Sequence, residues 1–402
     1  MSDPFEHPPE EELIYDWNRA GAELEWGPCR CVVDRTLAEG ELSPAARRPN
    51  REERLQIAEE QNRLSLDASC VGRLPDDDAD VAWLMDQWAR RALAPVPTLL
   101  IPPRPETVSR AADLKARGVL LHLPVSRLRR AALAEDPLPG ALSCVDEARA
   151  CGLDVTVVCQ DAARAYPSDL ATAVHALAVQ GATAVCLSDD SGHATAEGTQ
   201  RLVRMGREIL RRGAPGTRLD WHGHNDRGLA LSNALVALRE GAEGVHAAAF
   251  GLGEGSGCAP LDLLLANLKL LGGLERPLRR LQSYCATVAR CLGIKVLPNY
   301  PILGEDAFRT GTGVHAAAII KAEKKGHAWL ADRIYSGIPA GLFGFRQIIE
   351  VGPMAGASNV QYWLRGHGLE ATQERVDRIL QEAKRSNRVL TDPEIQAVLE
   401  RP

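Results

Sequence analysis

The chain has 402 residues, 45% of them hydrophobic and 25% charged, with a net charge of −6. That is the make-up of a globular α/β protein, while the lack of a basic stripe and an aromatic content of only 4% argue against nucleic acid as a partner. No run approaches the roughly 18 apolar residues of a membrane span, the acidic first residues carry no apolar signal core, and most of the ten cysteines sit in apolar runs, so a cytoplasmic chain with reduced thiols and no membrane partner is expected.

Residues 1–27 read as an acidic N-terminal extension in which Leu13-Ile14-Tyr15-Asp16-Trp17 is helix-like. From Cys29 a rhythm begins. Apolar runs at 29–34, 66–72, 97–101, 118–123, 153–159, 183–188, 217–222 and 243–250 predict strands. Segments of helical period separate them at 51–64, 80–93, 105–117, 143–151, 168–180, 197–212 and 228–241, and 261–273 closes the series. Strands alternating with helices imply parallel βαβ units, and eight strands is the count of a TIM (β/α)8 barrel. The barrel is placed at 28–275. Further helical patterns at 277–293, 313–325, 357–368, 371–386 and 392–400 predict a helical C-terminal subdomain over 276–402.

Trp221-His222-Gly223-His224-Asn225-Asp226 ends the seventh predicted strand. Side chains alternate along a strand, so His222 and His224 face the same way and can bind one metal ion. Barrel chemistry gathers at the C-terminal ends of strands. Glu39, just beyond the first strand in Asp34-Arg35-Thr36-Leu37-Ala38-Glu39-Gly40-Glu41, is the candidate carboxylate. Two histidines and one carboxylate leave positions open for a chelating substrate. The plain alternative is a pair of solvated loop histidines. The run Gly251-Leu252-Gly253-Glu254-Gly255-Ser256-Gly257-Cys258 misses dinucleotide-binding spacing, and its expected role is to let backbone amides approach a substrate. His175, His246, His327 and His367 are read as surface or core.

Together these motifs resemble the DRE-TIM metallolyase superfamily, and within it the Claisen-condensing branch of 2-isopropylmalate, citramalate and homocitrate synthases. The resemblance is carried by His222-Gly223-His224-Asn225-Asp226-x-Gly228-Leu229-Ala230, Gly251-Leu252-Gly253-Glu254, Asp34-x-Thr36-Leu37-x-Glu39-Gly40, Gln160-Asp161-Ala162-x-Arg164, Ser188-Asp189-Asp190-Ser191-Gly192 and Thr312-Gly313-Val314-His315. It implies an acyltransferase that converts acyl groups to alkyl on transfer, joining an acyl-CoA to a 2-oxo acid. It further implies a divalent metal (Mg, Mn or Zn) on Glu39, His222 and His224, and a homodimer. Catalytic roles are implied for His315, Glu254 and Arg164, and substrate contacts for His122, Asp190, Asn225 and Arg35.

The departures fall on groups that handle substrate. Ala38 stands where the family has an arginine over the developing enolate oxygen, a kind of loss that typically costs about 10²–10³ in rate. Cys70 stands at an acidic position, with Asp67 as the other candidate there. Gln160 replaces a glutamate, Asp190 a threonine, Trp329 the lid tyrosine, and Gly255 and Cys258 an arginine and an asparagine. Arg35, Arg73 or Arg227 could supply the missing charge. Cys258 could complete a tetrahedral zinc site, or be a small buried residue. Three readings stay open: a condensing enzyme, an aldol or retro-aldol carbon–carbon lyase on the same metal, or an impaired paralogue acting as a partner or regulatory subunit in a heteromer with an active one.

Overall fold

The structure is a computed structural model that describes residues 13–18 and 29–401. Eight strands close into a parallel barrel in sequence order: β1 (Cys31–Asp34), β2 (Ala68–Arg73), β3 (Val96–Ile101), β4 (Gly118–Pro124), β5 (Asp154–Gln160), β6 (Ala184–Asp189), β7 (Arg218–Gly223) and β8 (Gly244–Ala247). The TIM barrel expected from the sequence is therefore what forms. Helices cover the outer face, so the strands are buried on both sides, and β6 has no exposed residue.

Local chemistry sets the helix starts. Asn50 accepts from the Glu53 amide while the Glu53 carboxylate returns the bond, a capping box for the helix Arg51–Arg63. Thr195 caps Ala196–Gly213 with a single bond, its hydroxyl accepting from the Gly198 amide. On that helix a Cβ at Gly206 would lie 3.0 Å from Leu187 of β6, so the residue permits close helix–sheet packing.

Two elements differ from expectation. The last strand ends at Ala247 rather than 250, because Phe250 adopts a left-handed φ of 56° and turns the chain out of the sheet. Residues 14–18 are not helical; Trp17 there is 82% exposed, and most of the predicted N-terminal extension lies outside the described residues.

The chain divides into two compact units, one running to Lys295 and the other containing Val296 onwards. The helix Leu281–Leu292 packs against Arg51–Arg63 and belongs to the barrel unit. From Val296 onwards the second unit holds, among the described residues, the α-helices Gly313–Lys324, Ala328–Arg333, Ala357–Gly366, Gln373–Arg385 and Asp392–Glu400, with a short parallel pairing of Arg309–Thr310 and Ile348–Ile349. Its core gathers around Val360, Leu364, Ile379 and Ile395.

Candidate metal centre

Only β8 lies between β1 and β7 in the closed sheet, which brings the ends of those two strands together. His222 stands on β7 itself. His224 follows it, its amide donating to the Asp189 carbonyl at 3.0 Å while its backbone bridges to Cys258. Glu39 comes from the turn after β1, where its own amide donates to the Arg35 carbonyl at 2.7 Å.

The three side chains converge. Glu39 Oε1 lies 3.2 Å from His222 Nε2 and 2.9 Å from His224 Nε2, and these ligand atoms are all within 4.8 Å of one another. On the other side, Arg35 Nε lies 3.2 Å from Glu39 Oε2. Burial alone would raise the Glu39 carboxyl, but the Arg35 charge and both histidines hold it well below its ordinary value. For His224, burial pulls the imidazole down, yet the Glu39 hydrogen bond and charge leave it raised.

These residues fit a divalent ion. A carboxylate oxygen and two imidazole nitrogens are ordinary donors for such a metal, and neighbouring ligands about 2.1 Å from a common centre stand about 3 Å apart. Glu39 Oε2 and His222 Nδ1 are buried without a hydrogen-bond partner, further polar capacity at the same point. Cys258 does not join this group of ligand atoms. Its thiol donates to the carbonyls of Leu252 and Ala259 at 3.6 and 3.7 Å, and burial pushes its pKa well above the usual thiol value, so it stays protonated.

The family model described as HMGL-like matches residues 31–287, the whole span that carries this centre. The chain belongs to the HMGL-like family. It is similar to a probable 2-isopropylmalate synthase of Ignicoccus hospitalis, at 27% identity over 93% of this chain and 92% of that one. It is also similar to the homocitrate synthase of Saccharolobus solfataricus, at 28% identity over 88% of this chain and 75% of that one. Among solved structures, the HMG-CoA lyase of Bacillus subtilis shares the fold with a TM-score of 0.59, at 16% identity over 69% of this chain and 98% of that one. The resemblance to DRE-TIM metallolyases of the Claisen-condensing branch, read from the motifs, thus holds.

The other predicted residues have varied settings. His122, on β4, stands beside the cradle: Arg35 Nη2 lies 3.4 Å from its Nε2 and the Gln160 amide 3.2 Å from its Nδ1. A guanidinium can only donate, so Nε2 accepts, Nδ1 carries the proton, and the amide oxygen is the end of Gln160 that suits it. Burial first, and then the Arg35 charge, lower His122 to about 4 and keep it neutral. Asp190 accepts from Ser188 Oγ at 2.7 Å and the Asp161 amide at 2.6 Å. Asn225 accepts from the Ala230 amide at 3.2 Å, and Arg164 pairs with Asp161 at 2.7 Å, so these two brace loops. Glu254 is exposed. His315 is exposed in the second unit, stacked on Tyr335 with ring centroids 3.9 Å apart.

The three arginines named for the missing charge separate clearly. Arg73 pairs with Asp77 at 3.4 Å, and Arg227 is exposed and donates to the His193 carbonyl at 2.8 Å. Arg35 alone touches the cradle. Asp67 is tied to the Val32 amide and Arg276, at the opposite end of β1 from Glu39. Cys70 and Ala38 are fully buried in one apolar cluster with Leu120, Val158 and Cys186.

The glycine-rich run closes partly on itself. The amides of Leu252, Gly257 and Cys258 donate to the Ala249, Glu254 and Gly251 carbonyls, so these three are spent within the loop. A Cβ at Gly257, where φ is +76°, would lie 1.8 Å from the Gly251 carbonyl oxygen, so glycine is required there. The loop's role is to pack on Glu39: a Cβ at Gly253 would stand 3.4 Å from Glu39 Cγ.

Sequence reasoning missed one support. Buried Asp34 accepts from Tyr284 at 2.6 Å, Gln61 at 2.6 Å and the Thr36 amide at 2.8 Å, which fixes the strand end that carries Glu39. The Asp-x-Thr motif was visible. Its tyrosine partner, 250 positions away, was not.

Proposed function

We propose that this chain is a divalent-metal-dependent enzyme of the Claisen-condensing kind, joining an acyl-CoA to a 2-oxo acid in the manner of 2-isopropylmalate and homocitrate synthases. The observation that carries this reading is the convergence of Glu39, His222 and His224 at the barrel mouth, in a chain similar to named synthases over most of its length. Those three residues would hold a magnesium, manganese or zinc ion, which supplies Lewis-acid polarisation and a template for a chelating oxo acid. Neutral His122 offers donor and acceptor nitrogens beside the cradle, and its orientation is held by Gln160. His315 is assigned the proton transfer implied by its motif, and a homodimer is the expected assembly.

The test is release of free thiol from acetyl-CoA against a panel of 2-oxo acids, with each metal added and then chelated. Metal-dependent release with at least one oxo acid is expected. One observation favours a second reading, a partner or regulatory subunit: the arginine and acid positions of the family are filled here by Ala38 and Cys70 inside an apolar cluster. Thiol release with none of the acids while the ion is bound would turn the assignment to that role, or to an aldol-type lyase.

A further inference from the structure

Arg35 is an unusual arginine. Its side chain is only 2% exposed, and its Nε, although 3.2 Å from Glu39 Oε2, lacks a well-aligned hydrogen bond. Glu39 Oε2 likewise has none. A guanidinium carries five N–H donors in a rigid planar fork, and one buried with unmet donors calls for oxygens to fill them. Among the described residues, its further hydrogen-bond contact is the His122 nitrogen at 3.4 Å. Glu39 therefore divides its two oxygens: Oε1 serves the histidines, and Oε2 faces Arg35.

We propose that Arg35 is the oxyanion receptor of this site and that it shares Glu39 with the metal, so that ion and oxyanion draw on one guanidinium–carboxylate pair. The inference rests on the metal reading above. A fixed cation beside the cradle opposes a second cation through Coulomb repulsion. A small oxyanion with vicinal oxygens, the class of 2-oxo and 2-hydroxy acids, relieves that opposition because it accepts from the fork while chelating the ion. Arg35 thus weakens the bare metal site and strengthens the ligand site. An arginine that only held the fold would move both affinities in one direction.

Calorimetry with Mn²⁺, and with oxalate as the chelating dianion probe, separates these cases. R35Q is expected to bind Mn²⁺ alone about three- to tenfold more tightly than wild type, and to bind oxalate in the Mn²⁺-loaded state at least about tenfold more weakly. R35K keeps the charge but loses the fork. It should leave Mn²⁺ affinity within about twofold and weaken oxalate about three- to tenfold, so it decides the matter if R35Q does not fold. Oxalate affinity within about twofold of wild type in the variants, or Mn²⁺ and oxalate both weakened in R35Q, would overturn this inference alone. Failure of the wild type to bind any divalent ion would overturn the metal reading and this inference with it.

Discussion

The two halves of the barrel mouth have diverged in opposite ways. On the β1–β7 side, Glu39, His222 and His224 form a compact polar cradle, each braced by backbone bonds or a packed loop. Towards the other strands, Cys70, Leu120, Val158 and Cys186 form an apolar plug with Ala38, from the same turn as Glu39, where a charged lining is expected from the family. Cradle and plug therefore draw mainly on different strands, with the turn after β1 common to both. Between the halves stands Arg35, placed three residues before the position it is proposed to replace.

The sharpest break would come on the polar side. His222→Ala or His224→Ala removes one of three ligands and should lower metal affinity at least a hundredfold, read as residual metal content after dialysis. On the apolar side, Ala38→Arg forces a long cation into a fully buried cluster. It should cost about 3–5 kcal/mol in urea unfolding. A stable A38R protein would mean that the plug is plastic and that the two halves are less distinct than described.

The barrel interior gives a pH test. Burial, only partly offset by Asp220, lowers His246 to about 4. Between its usual 6.5 and that value the unfolded chain binds a proton that the folded chain does not. Stability is therefore full above about pH 6.5 and falls as pH drops towards 4, by up to about 3 kcal/mol from this group. His246→Gln should flatten that slope, with His122 accounting for a similar remainder. Tyr284→Phe leaves Asp34 one donor short and should cost about 1–3 kcal/mol in the same assay. The smallest effect is expected at Cys258→Ala, where metal affinity should stay within about threefold because the sulfur is outside the ligand group. A larger loss there would restore the thiolate as a ligand.

The barrel was legible because continuous apolar runs alternate with helical ones, and the cradle because both histidines and Glu39 lie in short local motifs. Other features depend on three-dimensional closure. The sequence offers Arg35, Arg73 and Arg227 alike as sources of charge, and only the closure of Glu39 and His122 around Arg35 sets it apart. Tyr284 reaches Asp34 from a helix beyond the barrel series. The glycine run closes partly on itself, a feature of φ angles and not of spacing.

The most direct test of the metal centre is anomalous diffraction from crystals of the wild-type chain soaked in Mn²⁺. One strong peak per chain, bounded by Glu39 Oε1, His222 Nε2 and His224 Nε2, is the predicted result. Saturating ion with no peak at that point, or a peak held by other residues, would contradict it.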